Sequence, residues 1–347
     1  MTHGSGIGDK GSEVDLTGLM THSYEIGAIR PPSEGGSSSL LLRVTRNCPW
    51  SRCTFCYARF YSREPFELRS VDEVKADIDS VKTISDELKA LSWRLGLDGR
   101  LEPLASLIQS RRLYGKELTS EDGDEFEKFH CLVNVFNWLV SGAKTVFLQD
   151  ADTLIVPTDQ LVEIITYLKE TFPSLERITS YARSKTVVKK KPEELARLRQ
   201  AGLTRLHIGL ETGDDELLKV VDKGATAADH IVAGKKALEA GFQLSVYVMP
   251  GLGGKDLSVQ HARNTANVLT EINPHFTRFR PFVPSSRTPL LEAYRRGGLE
   301  LTSPHERLRE IRLLIENLQI TSGVCFDHNL NAAYRSGNGF VPLLKHD

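Results

Sequence analysis

Leu40-Leu41-Leu42-Arg43-Val44-Thr45-Arg46-Asn47-Cys48-Pro49-Trp50-Ser51-Arg52-Cys53-Thr54-Phe55-Cys56-Tyr57 decides how the rest of this chain is read. Its first six residues form an apolar run of the kind that makes a short buried strand. Three of the chain's 5 cysteines follow in the loop after it. Crowded soft thiolates suit an iron-sulfur cluster, and a cubane [4Fe-4S] core offers one iron more than three cysteines can fill. That open iron is a place for chemistry. A structural zinc site is the competing reading, but it wants a fourth Cys or His at matched spacing, and His22 and His130 stand far off in sequence. A disulfide would pair two thiols and orphan the third.

Outward from this loop, composition narrows the class. The chain has 347 residues, a net charge of -1 and 26% charged residues, so no global positive field argues for nucleic acid or an acidic membrane surface. It shows no basic-then-apolar leader and no run of about 18 apolar residues able to span a bilayer, which points to a cytoplasmic protein. Cys131 and Cys325 stand alone and read as small buried hydrophobes.

Residues 1–39, rich in Gly, Ser, Thr and Pro, read as an N-terminal coil without chemistry of its own. Ser70-Val71-Asp72-Glu73 is a capping box opening a helix with apolar positions at Val71, Val74, Ile78, Val81 and Ile84. Residues of about 91–141 read as a helical insertion, with a helix over 126–140. Strands are then expected at 145–148, 177–181, 205–210, 244–249 and 277–282, with helices between them. Strands recurring about every 30 to 38 residues with helices between them argue for βαβ units and a parallel sheet. The expected fold is therefore α/β, a partial TIM-type (β/α)6 barrel over 40–292, followed by a C-terminal helical extension over 293–347. In such folds chemistry collects at the carboxyl ends of the strands. Those ends carry the cysteines, Gln149-Asp150-Ala151-Asp152, Ser180-Tyr181-Ala182-Arg183, Glu211-Thr212-Gly213, Pro250-Gly251-Leu252-Gly253-Gly254, and Arg278 with Arg280.

The cysteine motif resembles that of the radical S-adenosylmethionine (radical SAM) superfamily, whose usual spacing is C-x3-C-x2-C. Here the spacing is C-x4-C-x2-C, one residue longer in the first gap, and Cys53-Thr54-Phe55-Cys56 keeps the C-x-aromatic-C ending. Ala201 through Gly213, Lys223-Gly224, Ala240-Gly241-Phe242 and Met249-Pro250-Gly251-Leu252-Gly253 look like the later strands of its coproporphyrinogen oxidase and methylthiotransferase-like class.

The resemblance implies a [4Fe-4S] cluster on Cys48, Cys53 and Cys56, with S-adenosylmethionine chelated at the open iron. It also implies an electron donor such as flavodoxin or ferredoxin. Phe55 would lie against the adenine, Arg183 would pair with the methionine carboxylate, and Glu211 would accept from the ribose or amine. Ser180 joins these contacts, and Gly251, Gly253 and Gly254 would allow close backbone approach to the nucleoside. The superfamily's Gly-Gly-Glu segment is replaced by Gln149-Asp150-Ala151-Asp152, leaving Asp150 as a candidate acceptor from the amine. His328, near the end of a last strand at 324–326, is a candidate acid or base. The Lys189-Lys190-Lys191 run reads as a solvated edge, with an RNA contact the alternative. The readings from other classes are a non-catalytic zinc- or cluster-binding protein and an RNA-modifying radical SAM enzyme.

Overall fold

The computed structural model describes residues 19, 21–29, 38–56, 64–108, 123–284 and 288–326, together with the backbone of strand Leu343–Leu344. Its main sheet contains β1 (Leu40–Arg43), β4 (Thr145–Gln149), β5 (Arg177–Ala182), β6 (Leu203–Glu211), β7 (Gln243–Val248), β8 (Phe276–Phe279), β9 (Gly323–Cys325) and β10 (Leu343–Leu344). The order is β1-β4-β5-β6-β7-β8-β9-β10. Each pair from β1 to β9 is parallel, and only β9–β10 is antiparallel. The short strands β2 (Thr45–Arg46) and β3 (Glu67–Leu68) pair apart from it, beside the cysteine loop. Sequential strands that lie side by side and parallel, with helices between most of them, are the expected (β/α)6 succession.

Strand faces follow the two-residue alternation. Leu40, Leu42, Val146, Leu148, Ile178, Ala182, Leu206, Ile208, Leu244 and Val246 join the core shared with the helices. Residues of opposite parity line the other face, where Phe147, Tyr181, His207 and Tyr247 meet ring to ring at centroid distances of 5.3, 5.6 and 5.6 Å. Helix Val71–Arg94 begins at the expected capping box and buries Val74, Ile78, Val81, Ile84, Leu88 and Leu91. It packs against helices Asp124–Val140 and Thr158–Thr171. It runs three residues past the start of the expected insertion, because Leu88 and Leu91 continue its apolar stripe.

Four details go beyond the sequence expectations. Residues 21–29 are a strap with defined contacts: Tyr24 donates its hydroxyl to Asn134, and the Glu25 carbonyl accepts from the Arg43 amide on the edge strand. Covering that edge satisfies a backbone group that an open sheet would leave exposed. The boundary expected at 292 does not divide the sheet, since β9 pairs with β8 in parallel. Helices Ser184–Lys189 and Pro289–Arg295 were not foreseen; both are short, too brief to show a periodic pattern. The lysine run is not uniformly solvated, because Lys190 donates to the Val156 carbonyl and to Thr158. Among the described residues no helix is long and apolar enough to cross a membrane.

Candidate active site at the carboxyl ends of the strands

The cysteine loop leaves β1 through Asn47, which adopts a left-handed φ of 66°. Asp150, fully buried at the end of β4, fixes this departure. Its carboxylate accepts from the Asn47 amide at 3.2 Å and from Arg43 Nε at 2.8 Å. Burial pushes its pKa up, and the Arg43 guanidinium opposes that shift. Asp150 is thus an anchor beneath the loop. Gly27 of the strap lies over its remaining oxygen, where a Cβ would stand 2.2 Å from Oδ1. The strap's Glu25 is held by Arg43, Arg46 and Arg69. Burial works against its charge, but the Arg46 hydrogen bond and the three guanidinium charges outweigh it and lower its pKa.

The far side of the loop docks on four consecutive residues, 221–224. Thr54 donates its amide to the Val221 carbonyl at 2.9 Å, and Trp50 Nε1 donates to the Asp222 carbonyl at 2.7 Å. Arg52 pairs with the Asp222 carboxylate at 3.0 Å. The Trp50 ring lies on Gly224 and has Arg52 and Arg183 guanidinium carbons 4.8 and 5.0 Å from its centroid. The first cysteine gap thereby carries, through Trp50 and Arg52, a latch between the loop and residues 221–224. Sequence reading had assigned no role to Trp50, Arg52 or Asp222; the aromatic inside the lengthened gap was the available signal.

Cys53 and Cys56 pack against a cluster of Phe55, Leu217, Val221, Met249, Leu252, Phe282, Leu290 and Tyr294. The cysteines and the turn after β7 therefore share one rim. Burial pushes the Cys56 thiol up to about 12, and the charges of Cys53 and Cys48 push in the same direction. Cys53 is raised by burial too, with Lys223 pulling the other way. Three thiols close enough to act on one another, in a mostly apolar wall with Lys223 and Arg280 facing them, form a place where thiolates need a compensating positive charge. Iron supplies such charge, and the donor set is the soft one a cluster takes. Among the described residues no three His, Cys, Asp or Glu side chains gather around a single-ion site.

Glu211 ends β6 with a left-handed φ of 65°, at a register shift against β7. Its carboxylate folds back over Gly209, where a Cβ would stand 2.2 Å from Oε1, and pairs with Lys223 Nζ at 3.0 Å. Lys223 also lies 5.5 Å from the Phe55 centroid. Lys223, seen in sequence only as part of a resemblance, is thus the cation joining Phe55, Glu211 and the thiols.

Other expected contacts are placed differently. Ser180 is buried in the alternation between Ile178 and Ala182, on the helix-facing side, so it does not line the mouth. Arg183 stacks on Trp50 and donates Nη2 to the Lys223 carbonyl, so its guanidinium is committed to the latch. Gly251, Gly253 and Gly254 are approached by the chain itself. Their added Cβ atoms would meet Thr302 Oγ1 at 3.0 Å, Leu257 Cβ at 2.8 Å and the Glu300 carbonyl at 2.5 Å. Phe55 and Glu211 do reach the cysteine rim. His328 lies outside the described residues.

Residues 132–264 match the family described as the Radical SAM superfamily, a stretch beginning after the cysteine loop and covering β4 to β7. The heme chaperone HemW of Bacillus subtilis is 24% identical over 183 residues, 52% of this chain and 47% of that protein. A tRNA uridine(34) acetyltransferase of Methanocaldococcus jannaschii is 28% identical over 111 residues, 30% of this chain and 20% of that protein. The chain thus spans about half the length of the first relative and a fifth of the second. Among solved structures, the radical S-adenosylmethionine methyltransferase TsrM of Kitasatospora setae aligns at a TM-score of 0.47 and 15% identity, covering 76% of this chain and 40% of that one. The family match thus falls on the strands β4 to β7 of a parallel sheet whose first strand leads into the three-cysteine loop.

Proposed function

We propose that this protein is a radical SAM enzyme in which Cys48, Cys53 and Cys56 hold a [4Fe-4S] cluster. The observation that carries the reading is the rim itself: Cys53 and Cys56 packed with Phe55 against the turn after β7, with Cys48 near enough for its charge to act on both. When bound, the cluster would supply an electron that cleaves S-adenosylmethionine to a 5'-deoxyadenosyl radical able to take hydrogen from a substrate. The protein's own part is placement. Asp150 and the 221–224 latch fix the two ends of the loop, the apolar wall around Phe55 excludes water, and Glu211 with Lys223 offers one anionic and one cationic contact to a zwitterionic ligand. A cytoplasmic reductant such as flavodoxin or ferredoxin would feed the cluster.

Anaerobic reconstitution should give a brown protein with about four irons per chain, forming 5'-deoxyadenosine when S-adenosylmethionine and dithionite are added. Cys53→Ala should lose both. An unchanged yield in that variant, or a colourless wild-type protein with stoichiometric zinc, sinks the proposal.

A further inference from the structure

Helix Pro304–Asn317 lies outside the expected core, yet it sends Glu310 into it. Glu310 is 4% exposed, an unusual depth for a carboxylate. Its two oxygens accept from the Gly251 amide at 2.7 Å and from Ser258 Oγ at 2.5 Å. His261, fully buried, has Nε2 3.6 Å from Glu310 Oε1 and Nδ1 2.7 Å from Thr212 Oγ1. Thr212 in turn accepts from the Asp214 amide, while Thr265, beside His261, accepts from the Gly213 amide. One buried network therefore joins the C-terminal helix to the turn after β7 and to the residues directly following Glu211.

The network ends where the cysteine rim begins. Met249 and Leu252 flank Gly251 and pack in the same cluster as Phe55, against Cys53 and Cys56. Tyr294, also from beyond the core, donates its hydroxyl to the Leu252 carbonyl at 2.9 Å. Gly251 has φ 82°, so this turn is intrinsically permissive and needs an external partner to hold one conformation.

We propose that Glu310 is a positioning residue for cofactor binding, holding the Gly251 turn and, through His261 and Thr212, the rim that carries Glu211. This inference rests on the radical SAM reading, because the ligand it positions is the nucleoside of that reading. Glu310 does not touch the ligand; it sets the wall against which Phe55 and the nucleoside rest. A carboxylate rather than an aliphatic side chain is required because two donors converge on it at a buried position, where each would be costly to leave unpaired.

The test uses the reconstituted holoprotein and S-adenosylhomocysteine as a non-reactive probe, with affinity read by equilibrium dialysis and iron by chelation. Glu310→Ala should keep the wild-type iron content and far-UV circular dichroism but bind the probe at least tenfold more weakly. Glu310→Gln, which retains an acceptor for the Gly251 amide, should recover most of that affinity. His261→Asn breaks only the distal half of the network and serves where Glu310→Ala does not fold; it should weaken binding severalfold with iron unchanged. Wild-type affinity in Glu310→Ala, or in His261→Asn should the first variant not fold, overturns the inference. So does a Glu310→Gln variant as weak as the alanine. A wild-type holoprotein that carries iron yet fails to bind the probe instead refutes the radical SAM reading beneath it.

Discussion

Gly224→Ala probes the latch that the first cysteine gap carries. Gly224 has φ 69°, and a Cβ there would lie 2.4 to 2.9 Å from three atoms of the Trp50 ring. Alanine in the left-handed region costs about 1–2 kcal/mol by itself. The ring would also have to leave, forfeiting its hydrogen bond to the Asp222 carbonyl, worth about 1 kcal/mol. Its contacts with Arg52 and Arg183 are worth about 0.5–1 kcal/mol each. The substitution should therefore destabilise by about 3–5 kcal/mol. Trp50→Ala removes the same contacts without backbone strain and should cost about 2–3 kcal/mol. In that background the added methyl meets no ring, so the double variant should be less destabilised than the two single effects together by about 2–3 kcal/mol. Equilibrium urea denaturation of the four proteins measures this coupling, and Gly224→Ala should in addition bind less iron on reconstitution. Additive effects within about 0.5 kcal/mol would show that the ring does not rest on Gly224 in solution.

Three further outcomes follow from the structure. His230, wholly buried with Nδ1 2.6 Å from Ser184 Oγ, is lowered to about 3, first by burial and then by the Lys223 charge. Its folded pKa lies below its ordinary value, so its stabilisation is complete above about pH 6.5 and is lost as pH falls toward 3, by up to about 5 kcal/mol. Asp152, raised by burial to about 6, gives the opposite slope, losing stability as pH rises from about 4 to 6. Urea melts across this range should show the acid-side loss shrinking in His230→Asn; an unaltered profile would exclude a buried neutral imidazole. Glu25→Ala should release the strap and cost about 1–3 kcal/mol, because it takes one of two carboxylate partners from the buried Arg69 and from the half-buried Arg43. Limited proteolysis before residue 30 should accelerate, and equal cutting rates would deny the strap its anchor. Phe147→Ala, at a fully buried ring in contact with Tyr181, should cost about 3–5 kcal/mol in the same denaturation assay.

Much of the fold could be read from local chemistry. The capping boxes at Ser70 and Ser303 are both formed, the apolar runs at 145–148 and 205–210 lie within β4 and β6, and the run at 244–249 overruns β7 by one residue. These signals are legible because a cap or a strand depends on neighbours a few residues away. Site residues were less legible for the converse reason. Ser180 and Arg183 stand at the expected strand end, yet strand parity turns one toward the helices and a tryptophan from a distant loop captures the other. Asp150 was read as a ligand contact and is the buried anchor of Arg43 and Asn47. The glycines after β7 signalled close approach correctly, but which partner approaches is a matter of long-range packing.

The sequence by itself determined the soft donor set and the βαβ succession, since thiol chemistry and hydrophobic periodicity are properties of residue type and spacing. Only the tertiary structure decided that Trp50 latches the loop to 221–224, that Lys223 joins Glu211 to the thiols, and that Glu310 reaches the turn after β7. Each of those contacts joins residues from separate parts of the chain. Their pairing is set by how helices and strands pack, which no local pattern encodes.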